Sequence, residues 1–125
     1  MDENTIARKV VDAAYSVHTE LGPGLLESVY ESALCHELHA RNINYARQHW
    51  IQVTYKNAKL MDACRADLLV ENKVIIELKS IENVMPVHKK QLITYLKLAD
   101  CRLGLLINFG SYLIKDGITR VVNKL

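Results

Sequence analysis

No apolar run in this 125-residue chain reaches the roughly 18 residues that a membrane span needs. The opening residues, Met1-Asp2-Glu3-Asn4, lack the basic-then-apolar pattern of a secretory signal. Cysteine is scarce and odd in number: Cys35, Cys64 and Cys101, with no C-x-x-C pair. That excludes a disulfide framework and gives no zinc spacing, so the three are read as free thiols of a reducing cytoplasm. Five histidines form neither H-x-x-x-H nor H-E-x-x-H, and His36 and His39 are expected to face solvent. There is no glycine-rich phosphate loop and no G-x-S-x-G, which argues against an esterase elbow. The net charge of +2 is too small to imply nucleic acid by itself. Any basic surface must be local, and Lys89, Lys90 and Lys97 are candidates. Repeats, low-complexity tracts and linkers are absent, so one domain over residues 1–125 is expected.

What is present is an ordinary core-forming composition, 50% hydrophobic and 24% charged. Ile6, Val10, Ala14, Val17 and Leu21 recur at helical spacing and predict a helix over 5–21, capped by Asn4 or Thr5. Gly22-Pro23-Gly24 stops it. A second helix is predicted over about 25–41, with Leu26, Tyr30, Ala33, Leu34 and Leu38 on its inner face. The period then changes. Strands are expected at 46–55, 60–70 and 74–80, with turns at 56–59 and 71–73. Pro86 opens a helix over about 87–99. Residues 102–109 form a fourth strand, 110–117 a loop and 118–122 a short last strand. The helix at 87–99 is long enough to cross over and lay the fourth strand parallel to the third. The expected fold is α/β, with a mixed sheet behind a three-strand antiparallel meander.

One strand breaks the rule for buried segments. Val74-Ile75-Ile76-Glu77-Leu78-Lys79 is apolar except for an acid and a lysine, which period two puts on one face. Buried charges cost several kcal/mol unless paired or bound to a metal. If Glu71-Asn72-Lys73 is the hairpin loop, Val70 faces Val74 and Asp67 faces Glu77, with Cβ atoms about 5 Å apart. A two-residue loop would put the acids on opposite faces. Two such carboxylates repel, and Mg²⁺ or Mn²⁺ between them relieves the repulsion. The plainer alternative is an edge strand with a solvated face, and Glu71-Asn72-Lys73 shows how easily E-x-K arises by chance. Glu27, in the first turn of the second helix, is either a helix-end charge or a third acid leaning toward the metal.

Gly24-Leu25-Leu26-Glu27-Ser28-Val29-Tyr30 resembles the signature of the GxxExxY family of small bacterial and archaeal proteins. Arg65-Ala66-Asp67-Leu68-Leu69-Val70, Ile76-Glu77-Leu78-Lys79-Ser80 and Gln91-Leu92-Ile93-Thr94-Tyr95-Leu96 come after it in order, so the resemblance covers about residues 5–123. That family is grouped with the PD-(D/E)XK nuclease superfamily. The resemblance implies an αβββαβ nuclease-like core with an extra N-terminal helix. It implies that Asp67, Glu77 and the Leu78 carbonyl hold Mg²⁺ or Mn²⁺, with Glu27 in support. Lys79 is then the catalytic lysine, and Gln91 an auxiliary polar residue with Tyr95 one turn beyond. Ala66 stands where the superfamily's name has proline. The implied activity is metal-dependent phosphodiester hydrolysis on nucleic acid, DNA ahead of RNA, by a protein with no membrane partner. A homodimer would suit cutting of two strands. The competing reading is a module that keeps the fold and binds nucleic acid or protein without cleaving.

Overall fold

The computed structural model describes residues 1–125 as a mixed α/β fold with one five-stranded sheet. The elements are α1 (Glu3–Leu21), α2 (Glu27–Ala40), β1 (Tyr45–Tyr55), β2 (Ala58–Val70), β3 (Val74–Lys79), α3 (Pro86–Ala99), β4 (Leu103–Asn108) and β5 (Ile118–Val122). Strands lie side by side in chain order. β1, β2 and β3 form the antiparallel meander, α3 crosses over to set β4 parallel to β3, and β5 returns antiparallel to β4. This is the nuclease-like order expected from the sequence. No helix is long and apolar enough to cross a membrane.

Local chemistry sets the boundaries and corrects several expectations. Asp2, not Asn4 or Thr5, caps α1: its carboxylate accepts the Thr5 N–H at 2.8 Å, so the helix starts at Glu3. Gly22 ends it at φ +68, which a glycine adopts without strain. α2 begins at Glu27 rather than 25. Leu26 is its N-cap and 75% exposed, so it does not belong to the inner face, and Leu21 also reaches solvent. The first hairpin turns on Lys56 and Asn57 alone, both at positive φ, so β2 starts at Ala58. The loop before β5 carries a 3₁₀ turn, Ile114–Gly117. The edge-strand alternative for residues 74–79 fails: β3 lies between β2 and β4, and only Lys79 escapes full burial.

Both faces of the sheet are covered. Val10, Ala14, Tyr30 and Leu34 of α1 and α2 pack on Leu68, Ile76 and Leu105. Leu92 and Leu96 of α3 pack on Leu69, Ile75 and Leu106. A strand covered on both faces must read as a continuous apolar run, as β3 and β4 nearly do.

Two close approaches hold the end of the sheet beyond β3 and β4. The Asn108 side chain, buried at the end of β4, accepts the Ile81 and Gly110 N–H groups at 3.0 Å each and donates to the Ile81 carbonyl at 2.9 Å. Gly110 lies so near Ile81 that an added Cβ would stand 2.2 Å from its carbonyl oxygen. At Gly104 the obstacle is instead the end of the Leu92 side chain, at 2.9 Å. Backbone cannot yield where a leucine tip can. We therefore expect Gly110→Ala to lower the unfolding free energy by about 2–4 kcal/mol, and Gly104→Ala by about half as much or less. Urea unfolding curves at constant slope check the order, and a reversed ranking would contradict this packing.

Candidate active site

The β2–β3 ladder has only three rungs: Val70 opposite Val74, Leu69 opposite Ile75 and Leu68 opposite Ile76. Beyond them the sheet forks. β2 continues alone with β1 as a two-stranded arm, and β3 continues with β4 as far as Lys79 opposite Asn108. The next pair in register is Asp67 and Glu77, and it sits in the fork. Their side chains replace the missing rungs. The Asp67 N–H donates to Glu77 Oε1 at 3.0 Å, and the Leu78 N–H donates to Asp67 Oδ2 at 2.8 Å. The loop is the three-residue one, Glu71-Asn72-Lys73, and the two acids therefore meet.

Charge is poorly compensated here. Burial, and after it the Asp67 charge, push the Glu77 carboxyl up to about 8 against the opposing pull of the Asp67 N–H and of Lys79. Burial also raises Asp67, opposed first by the Leu78 N–H. Lys79 lies half-buried on the same face, but no carboxylate comes within ion-pair distance of it. The structure holds only two ion pairs, Arg41–Glu37 and Arg47–Glu31. A simple Glu77–Lys79 pair is thus not what stabilises the acid.

Because the acids lie at a fork, groups from both faces of the sheet reach them. Glu27 is exposed at the first residue of α2, and its charge still raises Glu77. Its position is pinned. The Tyr30 hydroxyl donates to the Gly22 carbonyl at 2.5 Å and accepts the Leu25 N–H at 3.1 Å, while its ring stacks on Phe109 at 4.5 Å. Ser80, next to Lys79, donates to the Leu25 carbonyl at 2.5 Å. The end of β3 and the start of α2 are therefore held together. From α3, Gln91 is exposed and makes no hydrogen bond with the acids. Tyr95 is half-buried; burial raises its hydroxyl, and Glu77, Cys64 and Asp67 add to that.

Three residues of this neighbourhood escaped the sequence reading. Glu31 is buried one turn beyond Glu27, and its charge raises Asp67. Arg47 donates to Glu31 Oε2 at 3.2 and 3.0 Å, and the Gln48 amide donates to Oε1 at 2.5 Å. Gln48 also favours the ionised Asp67. It sits at φ +48, and neither it nor Asp67 joins the ladder between Arg47–Leu68 and His49–Ala66. Helical spacing from Glu27 could have flagged Glu31. Nothing local announces Gln48.

The donor set is hard and oxygen-only, which suits Mg²⁺ or Mn²⁺. Glu77 Oε2 has no protein partner, yet no partnerless side-chain oxygen is sealed from solvent. No cluster of three or more His, Cys, Asp or Glu side chains forms a ready-made cage. Two carboxylates with open positions fit an ion that keeps waters and shares phosphate oxygens.

The sign of the pH dependence comes from Glu77. An acid whose folded-state value, about 8, lies above its ordinary 4.5 binds its proton more tightly folded than unfolded. Metal-free stability should be highest below about 4.5 as far as this group is concerned, and fall as pH rises toward 8. Glu77→Gln should remove that slope and raise the metal-free melting temperature at pH 8 by roughly 3–10 °C. Thermal melts in chelator at about pH 5 and 8 test this; a wild-type slope of opposite sign that Glu77→Gln abolishes would refute it.

A family model described as the PD-(D/E)XK nuclease superfamily matches residues 4–121. Comparison with curated proteins and with solved structures finds no match.

Proposed function

The chain belongs to the PD-(D/E)XK nuclease superfamily, and from that membership and the forked acid pair we propose a metal-dependent phosphodiesterase that acts on nucleic acid, DNA ahead of RNA. Within the superfamily, the resemblance of Gly24–Tyr30 to the GxxExxY signature supports assignment to that subgroup as part of the same proposal. The observation that carries the reading is Asp67 against Glu77: two desolvated carboxyl groups, bonded to each other's strands, which Lys79 offsets only from beyond ion-pair distance.

In this proposal Asp67, Glu77 and the Leu78 carbonyl hold Mg²⁺ or Mn²⁺, and Glu27 supports it from α2. The bound ion would supply Lewis-acid polarisation of the phosphate and a more acidic water. The protein's own part is positioning. The Leu78 and Asp67 N–H groups fix one oxygen of each acid, so the carboxylates cannot swing together and share a proton. Gln48, tied to Glu31, holds Asp67 from the other side. Lys79, free of an ion pair, orients or deprotonates the attacking water and stabilises the charge that develops. Tyr95 of α3 lies near enough for the charge of Glu77 and Asp67 to raise its hydroxyl, and exposed Gln91, one turn before it, would be a polar group to meet the substrate.

Labelled single- and double-stranded DNA and RNA should be degraded with added Mg²⁺ or Mn²⁺ and not in chelator. Glu77→Ala should abolish turnover. Lys79→Ala should keep the fold and the ion-induced thermal shift while single-turnover cleavage falls by about 10²–10⁴-fold. Cleavage that persists in chelator or in Glu77→Ala rejects the reading, and unimpaired cleavage by folded Lys79→Ala rejects the role of the lysine. Metal-independent binding without cleavage by the wild type would favour a binding module on the same fold.

A further inference from the structure

The arm that forms one wall of the fork has no partner along its outer face. From His49 opposite Ala66 to Tyr55 opposite Ala58 it is a two-stranded ribbon roughly 20 Å long. One face rests on α3 through Ile51 and Cys64. The alternate face carries Trp50 paired across to Arg65, and Trp50 is 48% exposed. Tyr55, an odd number of residues from Trp50 and so on the other face, stands at the tip and is 59% exposed. Each ring has a cation over it: the Arg65 guanidinium lies 5.0 Å from the Trp50 centroid and Lys56 Nζ lies 5.4 Å from that of Tyr55.

Charge is concentrated there as well. Residues 49–66 hold three of the sixteen Lys and Arg (Lys56, Lys59, Arg65) but one of the fourteen Asp and Glu, Asp62. The arm therefore carries +2, the whole net charge of the chain, and the rest is neutral. We propose that the β1–β2 arm is a single-strand guide. A base stacks on Trp50; Arg65 and Lys59 of the same face meet the phosphates; Tyr55 and Lys56 hold the strand where it turns over the tip; and the strand is led to Asp67, two residues beyond Arg65. This deepens the nuclease reading and rests on its choice of a nucleic acid as substrate.

Three features favour that occupant. Aromatic faces beside cations are the combination that grips unpaired bases and their backbone together. A duplex hides its base faces, so the rings select single strands, frayed ends or flaps. A second copy of the chain fits worse. The β1 edge is bent where Gln52 faces the bulged Met61-Asp62-Ala63, which interrupts continuous pairing of two such edges.

The chain contains one tryptophan, so its fluorescence reports on the arm alone. The full chain is titrated with an oligothymidylate of about a dozen residues in chelator, where hydrolysis is silent. Binding should quench the Trp50 emission and be weaker for a blunt duplex. By anisotropy of a labelled oligonucleotide, Trp50→Ala should bind about 5- to 100-fold more weakly. Lys56→Ala with Lys59→Ala, which touches no buried group, should weaken binding and make the salt dependence shallower by roughly one unit of slope. Circular dichroism confirms that the variants fold. Saturation without quenching, wild-type affinity in folded Trp50→Ala, or a dimer that Trp50→Ala splits while nucleic-acid affinity is unchanged would each overturn the guide. The two levels separate cleanly. Ion-dependent cleavage by wild type with unaltered binding by Trp50→Ala rejects the arm and leaves the nuclease standing. Quenched, Trp50-dependent binding with no cleavage under any ion supports the arm and rejects the nuclease.

Discussion

Everything distinctive in this molecule depends on the place where β2 and β3 part after three rungs. A ladder that ends inside a protein leaves N–H groups in need of acceptors. Here the acceptors are the carboxylates of Asp67 and Glu77. The same two side chains thus close the sheet and create a desolvated acidic pocket whose charge Lys79 only partly offsets. Because the strands diverge, the pocket is not the property of one face. α2 reaches it from one side with Glu27 and Glu31, and α3 from the other with Tyr95. A continuous sheet would have walled these groups from one another.

The surroundings are rigid where the acids are costly. Asn108 clamps the segment after β3, Ser80 ties β3 to the start of α2, and Tyr30 fastens the turn that aims Glu27. None of these bonds lowers the repulsion between Asp67 and Glu77. They prevent its relief by movement. The protein therefore retains a local conflict that its folding stability must absorb, which is common where a site is preorganised for a ligand.

Much of this was legible in the sequence because it rests on local rules. Period two, the apolar run of β3 and the three-residue turn are enough to set Asp67 opposite Glu77. The crossover helix is enough to place β4. What was not legible lies in tertiary choices. Leu26 fits the helical stripe, yet it is the N-cap and points outward, because Tyr30 holds the preceding turn. Gln48 sits in the left-handed region without being glycine, so no propensity could announce it. Glu31 has a role only because Arg47 and Gln48 are folded back over it. The length of the free arm depends on how few rungs join β2 to β3, and the alternation of residues carries no trace of that number.

The order of strands has a consequence for solubility. β4, Leu103–Asn108, is buried at every position and would be an apolar, unpaired edge without β5. Five residues, only half-buried or exposed, cover it. The cover is also held by a contact between Arg120 and Asn4 at the start of α1. Whatever frays β5, even briefly, uncovers a six-residue strand that another molecule's edge can join. The safeguard against aggregation in this fold is therefore a short strip at the far side of the sheet from the acids, with no part in their chemistry.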